Sequence, residues 1–315
     1  MLRPDIIDAI NLTLQVTRNN KSPFGGVQMI FVGDLYQLPP VITNDEYDVM
    51  AKLYPDGLYF FNSNIMNKIH LQSFELKKVF RQLDKNLINL LDKVRKATIS
   101  DDDLRFFNTR LVDECLLMPE EVLTLSTNNH KVNGINSSNL NNIDSKEYTY
   151  KAEIDGKFSG LPVDENLKLK VGAQVMLVKN NGKNWSNGTL ATIEKLAKNE
   201  ITIKIKEKSF MLDKEKWERF EYSISDKDKK ITTTVTATFT QYPVKLAWAT
   251  TIHKSQGQTY DNVILDMDHG AFAHGQTYVA LSRLRTLDGL FLMRPLKISD
   301  FIFDEDIRKF LNNTI

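Results

Sequence analysis

In the carboxyl-terminal third of the chain, the order of apolar and polar segments is compatible with few folds. From residue 242 to residue 289 the sequence reads strand, polar helix start, strand, helix, strand. Strands that alternate with helices predict a parallel sheet covered by helices, and therefore an α/β fold. The second helix carries Arg283 and Arg285 beside the apolar Leu284. A guanidinium fixed on such a fold is suited to meet the charge that develops on a transferring phosphate.

Composition sets wide limits on the class of protein. The chain has 315 residues, 42% of them apolar and 26% charged, which is typical of a globular protein with room for two or three domains. The net charge is only +1, so contact with a nucleic acid has to come from a local group of residues. Cys115 is the single cysteine, which excludes an internal disulfide and predicts a small core residue in a reducing compartment.

Neither a transmembrane span nor a signal peptide is found in the sequence. The longest apolar runs have the length of strands, and the first residues lack the basic, apolar and small-residue regions of a secretory leader. We therefore expect a protein of the cytoplasm or nucleus that is not secreted and makes no membrane contact.

The amino-terminal part predicts one strand followed by helices. Residues 27–32 form a largely apolar run that Gly33-Asp34 and the Pro39-Pro40 pair end, which predicts a buried parallel strand leading into a loop. Residues 83–96 predict a helix. A second helix is expected from Ser100, because the three aspartates that follow suit the positive start of a helix.

The remainder predicts a second α/β layer interrupted by short strands. Residues 122–126 predict a strand and 130–139 a helix, whereas 147–240 hold alternating β-branched segments separated by Asn-Gly turns. Close spacing of such strands favours a small antiparallel barrel. The α/β pattern resumes with strands at 243–249, 263–267 and 290–293, helices from 251 and at 276–282, and a surface helix at 300–312.

Two polar groups at strand ends are candidates for chemistry. Asp34 and Gln37 follow the first predicted strand on a loop that two prolines stiffen, where Gln37 could sense a phosphate or orient a water. An Asx turn with a solvent-facing glutamine explains the same residues. Arg81 follows an apolar anchor, but on its own it is a weak signal because most such arginines are solvated or paired on the surface.

Residues 250–259 crowd hydrogen-bonding side chains at a predicted strand-to-helix junction. Hydroxyls, helix-start N–H groups and Lys254 are what recognition of a phosphate backbone uses, although a capped surface helix explains Thr251 equally well. His253 alone is more typical of a structural residue, and the five histidines have no metal-ligand spacing. Trp248 is more typical of a core, whereas Trp185 is the better candidate for stacking on a base.

Five strings in order carry a resemblance to a known family. They are GDLYQLPPV at 33–41, FRQ at 80–82, VGAQVM at 171–176, ATTIHKSQGQT at 249–259 and YVALSRLR at 278–285. In this order they resemble the PIF-type and RecD-like branch of the superfamily 1 DNA helicases, over nearly the whole chain.

The resemblance implies an ATP-driven translocase on single-stranded or forked DNA, usually moving 5′ to 3′, with roles in DNA repair and recombination. It implies ATP and Mg²⁺ as cofactors, with ATP held between two RecA-like lobes. Gln37 resembles the γ-phosphate sensor, Arg81 a phosphate-contacting arginine and Arg283 the arginine finger. The implied ATP-binding set is Asp34, Gln37, Arg81, Gly257, Gln258 and Arg283, and the implied DNA-binding set is Thr250, Thr251, His253, Lys254, Ser255 and Gln256.

The implied fold is α/β, of the RecA-like type found in phosphate-loop NTPases. Residues 1–75 correspond to a partial first lobe and 76–120 to a helical connector. Residues 121–165 and 241–315 correspond to a complete second lobe, and 166–240 to an inserted small antiparallel β-barrel.

The chain also departs from the family. It contains no Gly-x-x-x-x-Gly-Lys-Ser/Thr phosphate loop and no Asp-Glu pair ahead of Gly33, so Mg²⁺ ligands are absent from it. We therefore expect a chain that begins within the first lobe, has no ATP hydrolysis alone and needs a missing amino-terminal half or a protein partner. Without neighbouring strands, residues 1–75 are expected to be poorly ordered or prone to aggregate. A non-catalytic single-strand DNA clamp and one half of a split motor remain open alternatives.

Overall fold

The computed structural model describes residues 2–82, 84–112, 119, 121–158, 160–224 and 231–314. Cys115 lies outside these residues. The helices are α1 Pro4–Thr17, α2 Asn44–Leu53, α3 Lys85–Arg95, α4 Asp101–Asn108, α5 Asn129–Asn142, α6 Gln276–Leu281 and α7 Glu305–Thr314. The strands are β1 Leu123–Ser126, β2 Tyr148–Lys151, β3 Glu153–Asp155, β4 Asn166–Leu169, β5 Gln174–Leu177, β6 Leu190–Ala197, β7 Glu200–Ile205, β8 Lys208–Leu212, β9 Glu215–Ile224, β10 Ile231–Gln241, β11 Val244–Leu246, β12 Ala249–Thr251, β13 Val263–Asp266 and β14 Leu290–Leu292.

The chain divides into two compact units. The first unit combines Met1–Leu116 with Ile252–Ile315, and the second is Leu117–Thr251. The amino-terminal residues therefore share a unit with the carboxyl-terminal α/β segment. The predicted division into a partial lobe, a connector, a second lobe and a barrel stays a prediction.

Parallel strands confirm the α/β character of the first unit. β13 pairs in parallel with β14, with Val263 opposite Leu290 and Leu265 opposite Leu292. Leu111 forms a parallel bridge with Leu292. Helix α6 lies between β13 and β14 in the chain, as the alternating pattern predicts.

The predicted strand at residues 27–32 is wrong. The segment is extended but belongs to no sheet, and Ile30 and Val32 are 79% and 91% exposed. Apolar character alone does not form a strand, because a strand needs backbone partners on a neighbouring segment. Within the described residues, no backbone partner accepts from the amides of residues 28–33.

Packing around the exposed segment holds the amino-terminal part in the first unit. Ile7, Phe24 and Ile65 form a small buried cluster. The ring of Phe61 stacks on Phe310 of α7 with centroids 4.2 Å apart. These contacts join the two ends of the chain. Helix α7 lies at the surface, as the sequence predicts, and packs one face against this unit. Solution order of residues 1–75 stays a prediction.

Helices α3 and α4 each begin at a residue whose side chain caps the first turn. The Asp84 carboxylate accepts from the backbone N–H of Asn86 at 2.8 Å and caps α3. Ser100 caps α4 and forms a reciprocal capping box with Asp103. Such caps satisfy N–H groups that the first turn of a helix leaves unpaired. Leu83, the first residue of the predicted helix, lies outside the described residues.

The second unit contains the predicted antiparallel strands. Five of them form a sheet in the order β11-β5-β6-β7-β8, and β9 and β10 form a long antiparallel ribbon that β3 joins. β1 pairs in parallel with β12. Leu167 and Ile203 are fully buried in the core of this unit, and burial alternates along β4 and along the first residues of β7, as expected of strands with one covered face.

Trp185 belongs to this core and is not a stacking platform. Its ring packs against Phe210 with centroids 5.4 Å apart, and its Nε1 donates to the Lys179 carbonyl at 3.2 Å. The Asn-Gly turn folds the indole inward, where its N–H finds a partner. Trp248 packs against the same core, as predicted.

The strand predicted at 243–249 is interrupted, and the helix predicted from residue 251 is shorter than expected. β11 and β12 have different partners, β5 and β1, and residues 253–255 form a single 3₁₀ turn. The Ser255 hydroxyl donates to the Ile252 carbonyl at 2.8 Å, which satisfies locally a group that a longer helix would pair. Gly257 then follows with φ of +80°, outside the helical region.

Within the described ranges, none of the helices α1–α7 has both the length and the apolar character that a membrane span requires.

Candidate functional site

Asp34 organises the loop that follows the exposed segment. Its carboxylate accepts from the backbone N–H of Tyr36 at 3.0 Å, which is the Asx turn considered from the sequence. It also accepts from the Gln37 side chain at 3.1 Å. Gln37 is therefore fixed by the loop, and the solvent-facing glutamine of the alternative explanation is not observed.

Gln37 also contacts the 250–259 segment. The Gln256 side chain donates to Gln37 Oε1 at 3.3 Å. The sequence singled out these two residues separately, for the nucleotide and for DNA. Their side chains meet within the first unit, so a shift of one amide changes the hydrogen bond of the other.

Arg283 is a buried cation without an acidic partner among the described residues. Its side chain is 1% exposed, and Nε, Nη1 and Nη2 donate to the Val279 carbonyl, the Gln258 carbonyl and the Ser282 hydroxyl at 2.8, 3.1 and 2.8 Å. Burial and the nearby Arg81 charge lower its pKa to about 10, so it stays charged at neutral pH.

Arg81 lies beside it on a separate segment. Its Nη1 donates to the Ser282 carbonyl at 3.2 Å, next to Arg283 in the chain. The described carboxylates all lie more than 4 Å from both guanidinium groups. Two neighbouring cations repel each other, and an anion between them removes that repulsion.

Gln82 holds the two arginine segments together, a role that sequence reasoning missed. Its buried side chain donates to the carbonyls of Ser282 and Leu284 at 3.1 and 2.9 Å. The FRQ string contained this residue, but only the arginine had a recognisable charge signal. The amide therefore fixes where Arg81 and Arg283 meet.

Tyr278 connects the arginines with the Asp34 loop. Its hydroxyl donates to Asp34 Oδ2 at 3.3 Å, and burial followed by the Asp34 charge raises its pKa to about 12. Tyr278 and Asp34 also raise the pKa of Arg283 slightly against the larger effect of burial. The structure thus brings Gln37, Arg81 and Arg283 together around α6, as the sequence requires of a single site.

Gln258 and Gly257 are the remaining residues predicted to bind the nucleotide, and both act here through their backbone. Gln258 offers its carbonyl to Arg283, and Gly257 is exposed with open space where a side chain would lie. The φ of +80° explains why glycine suits position 257.

The predicted DNA-binding residues differ strongly in exposure. Thr250, Thr251 and Ser255 are buried, whereas His253 and Gln256 are half-buried and Lys254 is exposed. Burial lowers the pKa of His253, so the ring is neutral at pH 7. Buried hydroxyls are suited to shaping the turn, and the outward side chains to contacting a strand of DNA.

An exposed aromatic ring near His253 was missed. Phe272 stacks on the His253 ring with centroids 6.1 Å apart and an angle of 15° between the planes. The only sequence signal was an aromatic residue between alanines, which is too common to single out.

The donor set suits phosphate better than a metal ion. The described ranges contain no group of three or more histidine, cysteine, aspartate or glutamate side chains placed to hold a cation. The paired guanidinium groups suit the oxygens of a nucleotide phosphate.

Comparison with known proteins decides the family. Residues 1–103 match the family model described as PIF1-like helicase, and 157–196 match that of the DNA helicase Pif1 2B domain. The ATP-dependent DNA helicase Pif1 of Campylobacter jejuni is 30% identical over 95% of this chain and 69% of its own length. This chain belongs to the Pif1 helicase family. Human ATP-dependent DNA helicase PIF1 is 31% identical over 92% of this chain but only 44% of its own length.

Solved Pif1 structures agree with the sequence relationship. Bacteroides Pif1 bound to single-stranded DNA superposes with a TM-score of 0.77 at 35% identity, covering 99% of this chain and 73% of the other. Bacteroides Pif1 with ADP-AlF3 and single-stranded DNA gives 0.76 at 34% identity, with 99% and 73% coverage. Candida albicans Pif1 gives 0.80 at 27% identity, with 100% and 75% coverage. The Pif1 family assignment and the RecA-like α/β fold predicted from the sequence are confirmed.

Proposed function

We propose that this chain is the motor part of an ATP-dependent DNA helicase in which Arg283, Arg81 and Gln37 serve the nucleotide phosphates. The observation that carries the proposal is the buried Arg283 guanidinium, beside Arg81 and without a carboxylate of the described residues within 4 Å. A buried unpaired cation is costly, and a bound phosphate compensates that cost. Bacteroides Pif1 with ADP-AlF3 supports a nucleotide as the source of the phosphate.

Each residue has a separate task in this proposal. Arg283 is held by three hydrogen bonds, so its guanidinium is already oriented when charge develops on the γ-phosphate. Arg81 adds a second charge from the neighbouring segment. Gln37, fixed by Asp34, is placed to respond to the γ-phosphate or to orient a water.

The DNA side of the motor uses the outward face of residues 250–256. His253, Lys254 and Gln256 contact the strand in this proposal, while buried Thr250, Thr251 and Ser255 shape the segment. The 3.3 Å bond from Gln256 to Gln37 supplies the link between DNA contact and nucleotide state. Related Pif1 structures concern single-stranded DNA and the unwinding of forked DNA, and we propose the same classes of ligand here, in the cytoplasm or nucleus.

Turnover needs groups that this sequence does not contain. The phosphate loop and the groups that hold Mg²⁺ would come from further residues or from a partner chain, because the sequence has no phosphate-loop pattern. The same absence favours a second candidate, a clamp on single-stranded DNA without catalysis. The clamp predicts salt-dependent binding of a labelled oligonucleotide that ATP does not alter.

Removing Arg283 tests the motor proposal. In the protein as it occurs in the cell, Arg283→Ala is expected to lower DNA-stimulated kcat by about 1,000-fold or more, the effect of losing an arginine finger. The measurement is steady-state phosphate release with single-stranded DNA. Arg285→Ala is the matched control, because Arg285 is exposed and pairs with Asp261 at 3.2 Å.

Equal turnover of the Arg283→Ala and Arg285→Ala proteins would refute the motor assignment. The 315-residue chain alone is expected to have no turnover above background under the same conditions. DNA-stimulated turnover by that chain, lost in Arg283→Ala, would instead contradict the need for a separate phosphate loop.

A further inference from the structure

His274 is a buried imidazole that the site as described above does not use. Its side chain is 5% exposed, and Nε2 lies 2.9 Å from the Leu35 carbonyl oxygen. The backbone N–H of Asp304 donates to Nδ1 at 3.0 Å. The ring thus joins the Asp34 loop to the segment that precedes α7.

These two bonds fix the tautomer of the ring. A carbonyl oxygen only accepts, so Nε2 must carry the proton that it donates to Leu35. The Asp304 N–H only donates, so Nδ1 must be unprotonated. A neutral imidazole with its proton on Nε2 satisfies both partners, and burial lowers the pKa of His274 in the same direction.

Gly275 brings the loop still closer. It has a φ of +68°, and a Cβ at this position would lie 2.3 Å from the Tyr36 carbonyl oxygen and 2.8 Å from the Gln37 carbonyl carbon. Only glycine permits this approach. The backbone of the loop therefore rests directly against the residues that begin α6.

The supporting contacts come from several directions. The His274 ring meets the edge of Phe303 with centroids 5.1 Å apart. Tyr59 donates to the Asp304 carboxylate at 2.7 Å, which holds the segment that His274 contacts. The loop that carries Gln37 is consequently clamped against a rigid part of the first unit.

We propose that His274 is a positioning residue that holds the Gln37 loop at a fixed distance from α6, and so from Arg283. The inference rests on the proposed function, because the proposed function assigns Gln37 and Arg283 to the same nucleotide. His274 itself touches neither the nucleotide nor DNA. It acts through the Leu35 carbonyl, and loss of that bond lets the loop move relative to the arginines.

Hydrogen exchange of the 315-residue chain tests the clamp without catalysis. The Tyr36 and Gln37 amides, which bond to Asp34, report whether the loop keeps its shape. His274→Ala is expected to speed their exchange by about tenfold or more, as local opening becomes easier. His274→Gln keeps a donor for Leu35 and should restore most of the protection, whereas His274→Asn keeps only the acceptor for Asp304 and should not.

His269→Ala is the matched control, because His269 is fully exposed and five residues away in the same segment. It is expected to leave exchange of the loop unchanged. Unchanged exchange in His274→Ala would overturn the proposal. Equal acceleration in α3 and α7 would also overturn it, because His274 would then support the whole unit instead of the loop.

ATP turnover of the protein as it occurs in the cell tests the consequence for catalysis. His274→Ala is expected to lower kcat about tenfold or more with KM for ATP changed less than about threefold, and His274→Gln to recover it. A raised KM with unchanged kcat would overturn the link to Gln37. If the wild-type protein has no turnover, the proposed function fails, and the exchange result still decides whether His274 holds the loop.

Discussion

Residues 27–32 and strand β7 both carry large apolar side chains, yet those side chains end in opposite environments. Ile201 and Ile203 of β7 are fully buried, with β6 and β8 paired on either side. Ile30 and Val32 are 79% and 91% exposed in a segment without a sheet. The difference teaches that apolar sequence supplies the tendency to form a strand, whereas neighbouring backbone decides whether the strand forms.

The largest expected difference between the two regions is in hydrogen exchange. Amides of β7 should exchange only through unfolding that costs about 5 kcal/mol or more. The amides of Ile30 and Val32, which have no backbone partner within the described residues, should open at close to zero cost. Exchange followed by mass spectrometry or NMR measures both. Slow exchange at Ile30 would indicate a partner strand and end the contrast.

Side-chain truncation sharpens the same contrast. Ile203→Ala removes a fully buried side chain from a core and is expected to lower the free energy of unfolding by about 2–5 kcal/mol. Ile30→Ala is the matched control at an exposed site, with an expected change of about 0.5 kcal/mol or less. Urea denaturation reports both values. Similar losses in the two variants would mean that Ile30 is buried in solution.

The smallest expected effect is on stability when the exposed segment is charged. Val32→Lys should change the free energy of unfolding by no more than about 0.5 kcal/mol, because the side chain already faces solvent. It should lower self-association measured by light scattering, since charge opposes edge-to-edge pairing. Lys52→Ala is the control, because Lys52 is exposed and lies outside residues 27–32. Unchanged self-association in Val32→Lys would show that residues 27–32 are not the surface through which copies of the chain associate.

Local signals in the sequence predicted much of this structure. The cap at Ser100, the helix at 276–282 and the alternating strands of the second unit were predicted because each depends on chemistry within a few residues. The strand at 27–32 and the helix from residue 251 were wrong because distant partners, or a hydroxyl that bonds its own backbone, decided the outcome.

The candidate site divides in the same way. Arg283, Arg81 and Gln37 were predicted from charge and from the order of motifs, and their roles stay a proposal. Gln82 and His274 were missed, because their importance comes from carbonyl oxygens that lie far away in the chain. No composition or periodicity signal carries that information.

Helix α6 has only six residues, with the Asp34 loop against its beginning and Arg283 just after its end. An α-helix turns about 100° and advances about 1.5 Å per residue. One inserted residue would therefore swing the guanidinium to another side of the helix while the loop stayed where it is. An insertion in α6 would therefore separate Arg283 from the loop that carries Gln37, whereas exchange of an exposed side chain would not.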